Sequence, residues 1–500
     1  MMAPAKLGRA ALVALCPALM GMGWSTPLPV PPIERAAPDT GAATQAPEPS
    51  PVPEGPPPAP VRADGPDCTQ PASSRPPDPR CGETLDGRPP IESKVTLPQA
   101  ALTVPRLAAR GVFWPIVKTS DFVEEHKLLP WMIALLTTDD GLIGVRPSVQ
   151  YATGFLPTGG LRFFDRRLPG AGSELSAHLA TGGPQAILAE ALAQGPTWLG
   201  LSLRGSWNRR HDRLFAGIGP NTEEQLAARG QGLARYASDN AFAELRWSRA
   251  LTAGLTLDLH TDLTRHDFSA SSVTGGSSVA AVYGLSPAAC AQVNLPSTCV
   301  DPNLLPRFDR GLRVAHGGVG LAFDRLTSVR DGSGYRVELD ATFAQGLAGD
   351  PSQYVRISGE GIAGFGGRDR RMLFRLRGAM VEKLLYEPVP FDELVDPAVR
   401  QGLRGFPDGR LRGNSSAVAT LEYRWFVAFN LDAALFVDAG TVAGQRFSGF
   451  HMDQIFPDFG FGLRRSHPEA RYWVANTDDG IQVTYAPEAG VRLLLTVAPF

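Results

Sequence analysis

The chain lacks the signatures by which most enzymes and nucleic-acid binders declare themselves. It contains no G-x-S-x-G elbow, no H-E-x-x-H helix and no P-loop. Its eight histidines are scattered rather than grouped as metal ligands. Lys and Arg number 48 against 50 Asp and Glu, a net charge of −2, so no overall basic field exists to hold nucleic acid. Mean hydropathy is −0.08, which gives no sign of a bundle of membrane-crossing helices. Cysteine is scarce, with five in 500 residues, and neither local pair has the histidine company of a zinc site. No catalytic, cofactor-binding or metal site is therefore expected. What the chain holds in excess is proline, 45 residues, and glycine, 54.

The prolines are not spread evenly. Twenty of the 45 fall between Pro27 and Pro90, among Ala, Glu, Ser and Asp. Such a segment cannot bury a core, and residues 26–100 are expected to be an extended, disordered tether. Ahead of it, Lys6 and Arg9 flank the short apolar run AALVALCPALMGMG, the pattern of an export signal over residues 1–25. Leu15 precedes Cys16 where lipidation requires a small residue, so no lipid anchor is expected there. In an exported chain the close pairs Cys68 with Cys81 and Cys290 with Cys299 suggest two loop-closing disulfides, with free thiols as the alternative. Residues 101–140 include the apolar run GVFWPIVKTSDFVEEHKLLPWMIALL. It is read as a short helical segment at a membrane surface or barrel entrance, or as an ordered linker.

From about residue 141 to the end, the texture changes to alternation with a period of two, the mark of β-strands. In LTLDLHTDLT, Leu255, Leu257, Leu259 and Leu263 share one face, while Thr256, Asp258, His260 and Asp262 share the other. YRVELDATF and LGLSLRGSW repeat the pattern. Soluble sandwiches alternate too. However, these strands reach about ten residues and recur to the end of an exported chain, which favours a transmembrane barrel. Only a closed barrel satisfies every backbone group of a sheet in lipid. Short links such as RLPGAG, RALTAG and GRDRRM alternate with long ones, RHDRLFAGIGPNTEEQLAARGQG among them. The strands number about eleven before Gly402 and five after it. The fold class predicted is all-β, a transmembrane antiparallel β-barrel of about sixteen strands, with Gln185–Gln194 the weakest strand pattern.

Between two of these strands lies GLRGFPDGRLRG, from Gly402 to Gly413, with Arg404, Arg410 and Arg412 and the aromatic Phe406. On the strand that follows, Thr420, Glu422 and Arg424 share the polar face. On the next, Phe436, Asp438 and Gly440 share a face. Glu422 and Asp438 would both enter the lumen, where an uncompensated carboxylate is costly. A loop folded back inside could bring Arg404 to them as a charge-assisted pair; the alternative is a solvated loop arginine. Arg410 and Arg412 are read as solvated or lumen-lining.

LRGF on a long loop, LEYRW, FVDAG, the Gly-rich FGFGLR and a terminal Phe500 follow one another in this order. The series resembles the BamA/TamA outer-membrane assembly family (bacterial surface antigen barrels), with LFAGIG near Gly217 adding upstream support. The resemblance implies a sixteen-stranded barrel whose sixth loop turns inward. Arg404, Gly405 and Phe406 would latch onto Glu422 and the Phe436, Asp438, Gly440 motif, and Phe500 would serve as the C-terminal signal. It also implies insertion or translocation of proteins at the outer membrane through a weak seam between first and last strands, without a cofactor. Its partners would be outer-membrane lipid and unfolded outer-membrane or secreted client proteins. A monomeric barrel is expected. Family members usually carry POTRA domains ahead of the barrel, where this chain has the Pro-rich tether in the periplasm. Pro499 breaks the final alternation, and proline suits an edge position. The alternative is a passive pore or anchoring barrel; a barrel hydrolase would need a Ser/His/acid cluster that the sequence does not supply.

Overall fold

The computed structural model describes Lys118, His126 and residues 135–500, apart from 169, 171, 287–288, 291–298, 326–332, 368–369, 399–401, 429–430, 466–479 and 498–500. The expected signal segment, the tether, most of residues 101–140, Cys68, Cys81, Pro499 and Phe500 lie outside these residues.

Alternation of apolar and polar side chains becomes sixteen antiparallel strands. They are β1 (Ile143–Ala152), β2 (Thr158–Asp165), β3 (Glu174–Thr181), β4 (Ala186–Gln194), β5 (Leu201–Phe215), β6 (Ala234–Thr252), β7 (Leu255–Ala270) and β8 (Leu312–Asp324). The others are β9 (Gly334–Gly346), β10 (Gln353–Gly367), β11 (Arg370–Lys383), β12 (Ser415–Ala428), β13 (Leu431–Ala443), β14 (Phe456–Arg465), β15 (Gly480–Ala486) and β16 (Gly490–Val497). Each pairs with its neighbours in sequence, and β1 pairs with β16, so the sheet closes on itself. Eleven strands precede Gly402 and five follow it, as the alternation predicts. Two short helices, α1 (Glu223–Ala228) and α2 (Val279–Tyr283), sit in loops. Among the described residues, no helix is long and apolar enough to cross a membrane.

The two faces of the wall differ as the parity requires. Leu259, Leu263, Leu339, Phe374 and Leu376 stand exposed on the outside. Asp262, His266, Glu338, Arg375 and their neighbours turn into the lumen. His260 finds Thr342 Oγ1 at 3.2 Å, on β9, rather than the aspartates flanking it on its own strand. The Ala-rich β4 reverses the usual sizes. Leu188 faces the lumen and small alanines face outward, which is why its pattern is weak in the sequence.

Two features depart from the sequence reading. RHDRLF, from Arg210 to Phe215, belongs to β5, not to the loop after it. Strand length is also not uniform: β1–β4 and β14–β16 have 7–10 residues, whereas β5–β13 have 13–19. The longer strands exceed the length that the roughly 25 Å apolar band of a membrane barrel requires.

Inside the barrel, the half toward the long loops is filled by apolar clusters. Phe215, Tyr236, Tyr283, Phe308 and Phe391 form one, joining wall strands to the 271–311 loop. Leu312, Tyr354 and Val381 of the wall meet Val389, Leu394 and Val395 of the loop between β11 and β12 in a second. Leu403, Phe406 and Leu411 of that loop pack with Val418, Val442, Phe456 and Ala486 in a third. The structure joins Cys290 to Cys299 in a disulfide within the 271–311 loop, with Cα atoms 5.8 Å apart.

Candidate functional site: a loop folded into the lumen

The loop from 384 to 414 enters the barrel because its apolar residues have a core to join and its arginines have carboxylates to meet. Arg404 Nε donates to Asp438 Oδ2 and Arg404 Nη2 to Asp438 Oδ1, each at 2.7 Å, while Nη1 donates to Glu422 Oε2 at 2.7 Å. This forked geometry uses the planar guanidinium in a way a lysine cannot reproduce. The Arg404 Cζ lies 3.4 Å from the centre of the Phe436 ring, close enough for a cation–π contact. Both acids are essentially inaccessible, Asp438 at 0% and Glu422 at 1%. Glu422 is shared further: Arg464 donates to it at 3.0 Å, and Arg424 of its own strand also binds it. Asp438, by contrast, has Arg404 as its only ion-pair partner among the described residues.

The neighbours of Arg404 seat the loop tip. Gly405 N–H donates to Asp458 Oδ2 at 3.0 Å. A Cβ on Gly405 would lie 2.5 Å from the Asp458 Cβ and 2.9 Å from the Ala486 Cβ, so only glycine fits. A Cβ on Gly440 would press on the Ala417 carbonyl, Val418 and Leu403 at 2.9–3.2 Å. Phe406 is 1% exposed and meets Phe456 edge-on at 5.7 Å. Arg492 of β16 donates to the carbonyls of both Arg404 and Phe406, and Thr484 of β15 donates to that of Arg404. The structure therefore brings together Arg404, Gly405, Phe406, Glu422, Phe436, Asp438 and Gly440.

Asp458, Thr484 and Arg492 were missed by the sequence reading. Their signal was available: each is a polar side chain on the lumen parity of a strand among the last three. Asp458 precedes Gly460, Gly462 and Arg464 at the same period.

The other two arginines differ from the solvated reading. Arg412 is 7% exposed and donates to the Phe391 carbonyl at 2.9 Å and to the Tyr236 hydroxyl at 3.1 Å, with Asp392 Oδ1 at 3.3 Å. His266 Nδ1 lies 2.8 Å from the other oxygen of Asp392. Burial works against ionisation of Asp392, but His266 and Arg412 outweigh it and hold the carboxyl well below the usual range. Arg410 is also buried, 3.7 Å from Glu488. The LFAGIG run supports the loop from outside its own strands, because Gly219 N–H donates to the Arg412 carbonyl at 2.7 Å. Asp396 accepts from the N–H groups of Ala398 and Gly409. Burial there pushes its carboxyl up to about 6.

Beside the docked tip the lumen keeps a cavity of about 460 Å³, bordered by β1, β4, β5 and β16 and lined in part by Gln150, Arg204, Arg492 and Thr496. Next to it is the closing seam. Among the described residues its register runs from Val149↔Val497 to Ala152↔Leu494, and Thr153 adds a bond from its N–H to the Leu493 carbonyl at 3.0 Å and accepts the Leu493 N–H on its hydroxyl at 2.9 Å. The first of these bonds shows that odd-numbered residues of β1 aim their backbone groups at β16. Pro147 has this parity, so it offers no N–H to the seam.

The G-x-G-x-x-G run from Gly359 to Gly364 lies wholly inside β10, paired on both sides. There is no strand-to-helix turn there to cradle a phosphate. Among the described residues, no group of three or more His, Cys, Asp or Glu is placed to hold a metal ion.

An apolar outer wall, a charged lumen, full closure and a loop pinned inside define the class: a transmembrane β-barrel with an internal loop plug. Among solved structures the chain is similar to BamA from Haemophilus ducreyi lacking POTRA domains 1–3, at 13% identity and a TM-score of 0.47, covering 71% of this chain and 70% of that one. It is also similar to CdiB from Escherichia coli, at 13% identity and a TM-score of 0.44, covering 71% and 63%. CdiB from Acinetobacter baumannii follows at 12% identity and a TM-score of 0.41, covering 70% and 59%. The chain thus spans about three fifths of the length of both CdiB chains. No family model and no curated protein matches it.

Proposed function

We propose that this barrel sits in the bacterial outer membrane and assists the insertion or translocation of other proteins there, with the 384–414 loop as a latch. The observation that carries the reading is the reach of the docked tip. It leaves the wall between β11 and β12, yet its backbone is held by Asp458, Thr484 and Arg492 on β14, β15 and β16. The latch thereby bears directly on the strands that end at the seam. A seam with four cross-strand pairs among the described residues and a proline facing it can open at low cost, which gives a client strand an edge to pair with. The Cys290–Cys299 bridge fits an oxidising, exported setting. In this reading residues 1–25 direct export, residues 26–100 tether the barrel on the periplasmic side, and the long loops face outward.

The test is depletion of the protein followed by a census of outer-membrane and secreted proteins. A selective fall in one or more of them is expected. Unchanged levels of all of them would replace assembly work with a passive pore or anchoring role.

A further inference from the structure

One long loop behaves unlike the rest. The 271–311 and 384–414 loops turn Phe308, Phe391 and Phe406 inward, each at most 1% exposed. The 444–455 loop between β13 and β14 does the reverse. Phe447, Phe450 and Met452 are 37%, 40% and 74% exposed.

This loop lies on the outer wall. Phe447 N–H donates to Ser415 Oγ at 3.2 Å, and Ser415 has the outward parity of Leu421 on β12 while being fully buried. Thr441, on the outward parity of Val437, is covered as well, at 3%. Arg446 grips Glu382 with two bonds of 2.6 and 3.0 Å, and Glu382 has the outward parity of Phe374 and Leu376 on β11. Just above that pair, Leu384, Leu385 and Tyr386 are 50%, 48% and 99% exposed. Arg446 and Phe447 both adopt left-handed backbone, at φ 53° and 60°. That conformation is unfavourable for a residue that carries a side chain. The loop therefore holds an unfavourable shape that directs apolar side chains away from the wall.

Height decides what they meet. Leu384, the residue just past β11, is ten residues on from Phe374, which at about 3.3 Å each and a tilt of about 40° is a rise of roughly 25 Å. That matches the apolar band of a membrane barrel, so the loop's apolar residues stand at its upper boundary, continuous with the lipid-facing wall below. Aromatic side chains favour this boundary, where one side is apolar and the other wet.

We propose that the 444–455 loop, with Leu384–Tyr386 beside it, is an anchor in the lipid of the outer leaflet. It fixes the height of the β11–β13 flank in the membrane. The inference rests on the outer-membrane placement proposed above, not on assembly activity.

Photo-crosslinking in intact cells tests it, with p-benzoylphenylalanine replacing Met452 or Tyr386 in the full chain. Leu376 on the apolar belt serves as the membrane control, and Glu224 on α1 as the loop control. Lipid adducts at Met452 and Tyr386 are expected at a yield near that of Leu376 and at least tenfold above that of Glu224. A protein adduct at these sites, whether to a partner or to a second copy, would overturn the proposal. So would a yield no higher than that of Glu224. Failure at Leu376 as well would instead remove the membrane placement on which it rests. A Phe447→Ser/Phe450→Ser/Met452→Ser variant should keep its heat-modifiable gel mobility and lose the Tyr386 lipid adduct.

Discussion

The barrel has two flanks built on one pattern to different ends. From β5 to β13 the strands run 13–19 residues and pair along most of their length, while from β14 round through β1 to β4 they run 7–10. The long flank carries the two loops whose aromatic residues fill the upper lumen, so it holds most of the buried apolar surface. The short flank barely spans an apolar band of about 25 Å and contains the seam. The latch ties them together, since a loop rooted on the long flank places its tip against β14, β15 and β16. In the proposed reading, packing concentrated on one flank and a charged latch to the other make the seam the place for the sheet to part.

Removing the tether should break this contrast most severely. Arg404→Ala strands Asp438, which has no other ion-pair partner among the described residues, and leaves a fully buried charge uncompensated. The expected cost is about 3–5 kcal/mol, read as loss of heat-modifiable mobility in unheated gels. Combining Arg404→Asp with Asp438→Arg should recover part of it. Unaltered mobility of both single variants would remove the latch.

Gly405→Val should come next. The added carbons collide with Asp458 and Ala486, so the tip must lift away from β14 and β15 while the wall stays intact. Hydrogen exchange is expected to speed up across 402–413 and over β14–β16, with β6–β10 unchanged. Equal acceleration on both flanks would refute the division.

A matched pair of crosslinks sharpens it further. Gln150 and Thr496 face each other across the seam as a non-hydrogen-bonded pair, where Cα atoms lie close enough for a disulfide. Gln150→Cys with Thr496→Cys should abolish function under oxidising conditions and restore it on reduction. Ala341→Cys with Ile357→Cys, in the same kind of register between β9 and β10, should have no effect.

The smallest effect concerns pH at the loop base. The Asp396 carboxyl is pushed up to about 6 by burial, so the docked loop holds a proton more tightly than an undocked one. Docking is then favoured at low pH and loses that contribution as pH rises through about 6. Exchange protection of Ala398 and Gly409 should be roughly tenfold higher at pH 5 than at pH 7, and Asp396→Asn should flatten the dependence.

Strand parity made much of this legible beforehand. The apolar and charged faces of β7, β9, β12 and β13 follow from alternation alone, and so does the entry of Glu422 and Asp438 into the lumen, whereas Arg404 as their partner was implied by the resemblance. Three features were hidden for physical reasons. Strand length cannot be read where a polar rim continues the alternation, so the β5 extension through RHDRLF looked like loop. The burial of Arg412 depends on Asp392 and Tyr236, brought near only by closure of the wall. Asp458 shows its lumen parity in the sequence, but its partner is a backbone N–H, which that parity does not identify.

The latch also has a consequence for the order of assembly. Every group that holds Arg404 and its neighbours, from Glu422 to Arg492, lies within 88 positions of it in the chain. The pairing of Val149 with Val497 must instead join the two ends of the barrel. Short loops close at lower entropic cost than long ones, and local contacts form first. The last six strands and the loop tip from Leu403 to Phe406 are thus expected to settle before the ring closes, so that β1 meets an edge the tip has already set.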